Sequence, residues 1–178
     1  LAKVFLIEGP VGAGKSTFSK DLSKRMSAPH INLDSWMSRL FSPDRPLTDI
    51  FEWYVARKKR CIEQIWEVAL SILNSGSDVI LELGLIQSDS RKSMYDLINE
   101  SGHNVSVYVL DAPKEQRRKR VQYRNMSKGS TFSMEVSDEV FELASNMWEE
   151  PNEIECTKQE VIFVPQSDVD QAFQRTRR

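Results

Sequence analysis

Eight residues near the start of the chain, Gly9-Pro10-Val11-Gly12-Ala13-Gly14-Lys15-Ser16, limit its folding more than any others. They match G-x-x-x-x-G-K-[ST], a loop that wraps backbone N–H groups around phosphate oxygens. Glycine allows that curl, and the helix that follows turns its positive end toward the same anion. The context is the required one. The apolar run Lys3 to Glu8 reads as a buried strand, and Gly14 to Met26 reads as a helix with Phe18, Leu22 and Met26 at helical spacing. The stretch from Gly9 through Pro10, Val11, Gly12, Ala13, Gly14, Lys15, Ser16 and Thr17 is therefore the expected phosphate cradle. Lys15 is expected to reach the β- and γ-phosphates, and Ser16 to ligate Mg²⁺.

Downstream, strand-like and helix-like segments alternate. Strands are expected at His30 to Leu33, Asp78 to Leu83, Asn104 to Leu110 and Glu160 to Val164. Helices are expected at Ser35 to Phe41, Thr48 to Asn74, Ser88 to Asn99, Pro113 to Met126, Glu135 to Trp148 and Asp168 to Arg175. Phe51, Val55, Ile62, Ile65, Trp66, Ala69, Ile72 and Leu73 give the longest helix a period near 3.6. Such alternation predicts an α/β fold: a doubly wound, mainly parallel five-stranded sheet with helices on both faces. No Pro/Gly-rich linker or repeat divides the 178 residues, so one domain is expected, with residues 113–132 as a helical lid.

Ligands of doubly wound sheets bind beyond the carboxyl ends of the strands, which selects further candidates. Asp34 follows a strand expected beside the phosphate loop, where it can accept a proton from an attacking hydroxyl. The competing reading is an N-cap for the next helix. Glu82 interrupts an apolar strand; a buried carboxylate needs a partner, and Mg²⁺ supplies one. Arg117, Arg120 and Arg124 recur on one helical face, from which Arg120 and Arg124 can close over phosphates. Arg118 and Lys119 are read as solvated. Gly129 to Thr157 holds eight acids and no bases, a composition that suits pairing with the basic helix. Trp36, Phe41, Trp53 and Tyr54 are assigned to core and lid packing, and His30 to a structural role. From the run Arg57 to Arg60, Arg57 is the residue expected to reach substrate, and Arg91 is a further candidate for that role.

These motifs resemble the P-loop kinase-like ATPase family, an AAA-type domain grouped with polynucleotide 5′-hydroxyl kinases. Chloramphenicol phosphotransferase and zeta-type kinases are more loosely similar. The resemblance rests on Gly9 to Ser16, Asp34, Val79 to Leu83, Asp111-Ala112-Pro113, Arg120-Val121-x-x-Arg124-Asn125, Gly129-Ser130-Thr131-Phe132 and Trp148-Glu149-x-Pro151. It implies phosphoryl transfer from ATP, with Asp34 activating the accepting hydroxyl. Polynucleotide kinases carry an Arg three residues after that Asp. Here Met37 stands there, with Arg39 two residues on, a departure that points away from a polynucleotide acceptor but not from phosphoryl transfer.

The expected ligands are thus ATP, Mg²⁺ and an unidentified hydroxyl-bearing acceptor, with nucleic acid only as a substrate end. The alternative is a regulatory module that binds or hydrolyses ATP without such an acceptor. Net charge is −2, against a nucleic-acid-coating protein. Two distant cysteines, Cys61 and Cys156, suit a reducing compartment, and no apolar run is long enough to span a membrane, so a cytoplasmic protein is expected.

Overall fold

The computed structural model describes residues 1–176. Five strands form one parallel sheet: β1 (Lys3–Glu8), β2 (His30–Asn32), β3 (Val79–Glu82), β4 (Asn104–Val109) and β5 (Glu160–Phe163), in the order β2-β3-β1-β4-β5. Side chains of β1 alternate between the two faces. Val4 and Leu6 enter one apolar cluster with Ile65, Trp66 and Ala69. Phe5 and Ile7 enter a second with Phe18, Leu22, Val169 and Ala172. All four residues of β3 are buried, as expected of a strand flanked on both sides. Each fully buried Leu or Ile contributes roughly 1.5–3 kcal/mol, so the central strands anchor what their carboxyl ends carry.

Among the described residues eight α-helices pack around the sheet: α1 (Lys15–Met26), α2 (Leu33–Leu40), α3 (Ile50–Asn74), α4 (Ser88–Glu100), α5 (Lys114–Ser127), α6 (Asp138–Asn146), α7 (Glu153–Lys158) and α8 (Gln166–Thr176). The sequence pattern missed α7. It is too short for a period, yet it carries a capping box in which Asn152 and Glu155 each accept the other's backbone N–H.

Two expectations are corrected. Strand β2 does not neighbour β1, because β3 lies between them. Nor does the periodic face of α3 enter the core along its whole length. Cys61, Ile65, Trp66, Ala69 and Leu73 do, whereas Phe51 and Val55 remain exposed. In the first turns of α3 Phe51 and Val55 face away from the core, although Tyr54 packs against it.

Candidate functional site

Strand β1 ends in Glu8, and the chain turns at Gly9 with φ +145°. A Cβ there would lie 2.2 Å from the Leu110 carbonyl oxygen, so only glycine fits between β1 and β4. At Gly12 a Cβ would lie 2.6 Å from the Arg117 carbonyl oxygen, which brings α5 directly against the loop. Arg117 locks that contact by donating to the carbonyls of Val11 and Ala112, each at 3.0 Å. It is therefore a buried brace for the loop, while Arg120 and Arg124 from the same face line the open cavity.

Lys15 folds back, its Nζ donating to the carbonyls of Gly9 at 2.7 Å and Pro10 at 2.9 Å. Burial lowers its pKa, and Glu82, Glu8 and Asp34 act in the opposite sense. Ser16 Oγ donates to Glu82 Oε1 at 2.6 Å. The other Glu82 oxygen lies 3.0 Å from His30 Nε2. Burial would raise the Glu82 pKa, but the His30 and Ser16 hydrogen bonds and Lys15 outweigh it and hold the carboxyl below its ordinary value. A hydroxyl and an ionised carboxylate side by side are the hard oxygen donors that Mg²⁺ takes, with water filling the remaining positions. Among the described residues no three His, Cys, Asp or Glu side chains form a larger metal cluster.

Asn32, not Asp34, caps α2, accepting the Ser35 N–H at 2.8 Å. Asp34 occupies the first turn of α2 and lines the cavity shared with Lys15, Ser16, Glu82 and Arg124. It meets solvent within the cavity but has protein around it. Desolvation and the Glu82 charge raise its pKa, against the pull of Lys15, Lys58 and Arg124. That shift makes a carboxylate a better proton acceptor. Arg124 faces Asp34 and Glu82, and its Nε has no hydrogen-bond partner among the described residues. Arg120 lines the same cavity. It donates to the Ala13 carbonyl at 3.3 Å and stacks over Phe173 of α8 at 5.0 Å.

Some residues expected elsewhere prove to be braces. Arg91 is fully buried in a two-pronged ion pair with Glu155, at 3.1 and 3.0 Å, and donates to the Leu85 carbonyl at 3.2 Å. It fixes the loop after β3 and does not line the cavity. Glu149 accepts the Ser88 N–H at 2.8 Å and donates its own N–H to Ile86 at 2.9 Å, so Trp148-Glu149-x-Pro151 holds the same loop. Asn125 exchanges two hydrogen bonds with Val136. Arg118 is not simply solvated, because it pairs with Glu142, as Lys114 does at 2.7 Å, joining the basic and acidic helices. Arg57 stacks on Trp53 at 4.7 Å. It is Lys58 that enters the cavity, its Nζ donating to the Gly84 carbonyl at 3.2 Å. Trp36, Phe41 and Tyr54 pack against the core, while Trp53 and Tyr54 also line the cavity.

The sequence reading missed three contributors. Glu8 is fully buried, and neither carboxylate oxygen has a hydrogen-bond partner among the described residues. Burial pushes its pKa up to about 8 although Lys15 and Arg91 pull it down. The signal was present, since Glu8 ends an apolar strand as Glu82 does. His30 orients Glu82, and Phe173 faces Arg120; no local pattern announces either contact.

A protein-family model described as an AAA domain matches residues 4–151. The chain belongs to this AAA-domain family. No curated protein matches the chain. Among solved structures, a putative kinase from Chloroflexus aurantiacus superimposes with a TM-score of 0.70 at 19% identity, over 99% of this chain and 97% of that one. A sugar kinase from Janibacter sp. gives 0.64 at 17%, over 98% and 94%. The Mycobacterium tuberculosis APS kinase CysC, in complex with AMPPNP and APS, gives 0.62 at 13%, over 99% and 96%. The all-parallel sheet in the order β2-β3-β1-β4-β5 is thus the fold of small P-loop kinases.

Proposed function

We propose that the protein is a phosphotransferase that moves the γ-phosphate of Mg-ATP to an alcohol hydroxyl, on a small molecule or at a nucleic-acid end. One observation carries the reading: Asp34, Lys15, Arg124 and the Ser16–Glu82 pair line a single cavity at the carboxyl ends of β1, β2 and β3. A module that only binds nucleotide has no use for a basic carboxylate opposite its phosphate loop.

The loop N–H groups and the α1 amino terminus hold the phosphates. Lys15 exchanges the Gly9 and Pro10 carbonyls for phosphate oxygens, and Arg124 gains the partner it lacks. Mg²⁺, held by Ser16 and Glu82 with waters, would neutralise phosphate charge. Asp34 takes the proton of the acceptor hydroxyl as its oxygen bonds to the γ-phosphorus. The bond from that phosphorus to the bridging oxygen breaks, and ADP leaves with the electron pair. Arg120, stacked on Phe173, lines the same cavity and can close over the phosphates with Arg124.

Asp34→Asn keeps the shape and removes the base. Transfer to any acceptor should fall by about 10²–10⁴-fold while ATP affinity, measured by calorimetry, stays within about twofold. Normal turnover in that variant would remove Asp34 from the mechanism. Acceptor-dependent ADP release separates this reading from ATP hydrolysis without an acceptor.

A further inference from the structure

The cavity holds about 1730 Å³, more than the roughly 300–1,000 Å³ of a pocket for one small ligand. A nucleotide on the phosphate loop leaves the part beyond Asp34 for a second molecule. More than half of the large apolar side chains exposed among the described residues line this one cavity. They include Phe51 and Val55 of α3, Leu97 of α4, and Val140, Leu143 and Met147 of α6 and its end. Phe51 is 73% exposed and Leu143 59%. Isolated exposed apolar residues are ordinary, but a set from three helices that shares one concave wall marks a binding surface. The polar side chains of that wall, such as Lys59, Glu63 and Gln87, are exposed and already hydrated. Nearer Asp34 stands Lys58, with the Gly84 carbonyl as its only hydrogen-bond partner among the described residues.

From this wall we infer that the acceptor is an alcohol with a bulky apolar body, not a polyol and not an oligonucleotide end. The inference rests on the phosphotransfer reading. The reacting hydroxyl meets Asp34, and the hydrocarbon or aromatic part displaces water from the side chains of α3, α4 and α6. A sugar would set its hydroxyls against those groups and lose hydrogen bonds to water without replacement. An oligonucleotide end would set its charged backbone against the same apolar groups, with the same loss of hydration.

The test incubates the protein with Mg-ATP and 1-alkanols from propanol to octanol, or 3-phenyl-1-propanol. Sorbitol, glucose and a 5′-hydroxyl oligonucleotide are run in parallel. ADP release is followed, and phosphorylated product is identified by mass spectrometry. For the alkanols kcat/KM should rise about fourfold per methylene until the wall is covered, which is 0.8 kcal/mol converted. Phe51→Ser and Leu143→Ser, both at exposed positions that folding tolerates, should flatten that slope. Phosphorylated sorbitol, glucose or oligonucleotide with inert alkanols would overturn the inference and leave phosphotransfer intact. ATP hydrolysis with no phosphorylated product from any compound would overturn both. Chain-length-dependent alkanol binding beside AMPPNP, measured by calorimetry but without product from ATP, would keep the apolar ligand and remove phosphotransfer. A dimer in sedimentation that Phe51→Ser and Leu143→Ser split into monomers would assign the wall to a second copy and overturn the inference.

Discussion

At the phosphate-loop end of the cavity close backbone packing sets the shape, whereas at the proposed acceptor end side chains from separate helices set it. Gly9 and Gly12 sit where a Cβ would strike a carbonyl oxygen, Arg117 clamps the loop to α5, and Lys15 is held by two carbonyls. Beyond Asp34 the wall consists of exposed apolar groups on α3, α4 and α6. A phosphate is the same in every nucleotide, so a rigid cradle suits it. An acceptor differs from enzyme to enzyme, and replaceable side chains on a fixed scaffold suit that. Substitutions at the first end should therefore abolish function outright, and substitutions at the second should change what is bound.

The largest effect is expected from Lys15→Ala. It removes the cation that the cavity's carboxylates surround, so phosphate binding and transition-state stabilisation fall together. A loss in kcat/KM for ATP on the order of 10³-fold or more should follow, read by coupled ADP release. A loss confined to kcat, with ATP affinity unchanged, would mean that Lys15 stays on its two carbonyls when nucleotide binds.

The acceptor end has its own rigid element, the Arg91–Glu155 pair under the loop after β3. Glu155→Gln strands a fully buried guanidinium, which should destabilise the fold by about 3–5 kcal/mol in urea unfolding. Surviving enzyme should show a larger rise in acceptor KM than in ATP KM, because the loop it frees carries the Gly84 carbonyl that holds Lys58. Equal damage to both KM values would erase the distinction between the two ends.

The difference between the ends also decides what the sequence discloses. Gly9 to Ser16 is legible because its function is a local backbone shape that only certain residues can adopt in that order. Asp34 is legible because it follows a strand at the edge of the sheet where ligands bind, and Glu82 because a carboxylate in an apolar strand is costly without a partner. The same logic covers Glu8, and only the pull of the adjoining motif concealed it. Phe51 and Val55 misled for a physical reason. Helical periodicity reports that a face is apolar, not whether protein or ligand covers it. Arg91 and Lys58 were beyond reach because their roles depend on Glu155 and Gly84, positions far away in the chain. The sheet order, which separates β2 from β1, likewise depends on pairing that no local pattern encodes.

Glu8 lies between the two ends and gives a signed pH effect. Its ordinary pKa is 4.5, and in the folded protein it is about 8. Below 4.5 the folded and unfolded chains both hold the proton. Between 4.5 and about 8 only the folded chain does, so the stabilisation present at low pH is lost as pH rises through the folded value. The interval bounds the loss at about 5 kcal/mol. Glu8→Gln should match the wild type in Tm near pH 4.5 and exceed it at pH 9. Parallel Tm curves across that range would mean that the carboxylate is ionised in the folded protein and already paired.

The smallest effects come from two adjacent residues and make the finest test. Arg57 stacks on Trp53 outside the cavity, and Lys58 points into it. Arg57→Ala should cost about 0.5–1 kcal/mol of stability, the size of an exposed cation–π contact, and leave acceptor KM within about twofold. Lys58→Met keeps most of the apolar stem and removes the charge. Asp34 then loses one of the three cations that lower its pKa, so the acidic limb of the kcat/KM profile should move to higher pH. No movement with Lys58→Met, together with a clear one for Arg57→Ala, would reverse the assignment, placing Arg57 as the cation beside the reacting hydroxyl.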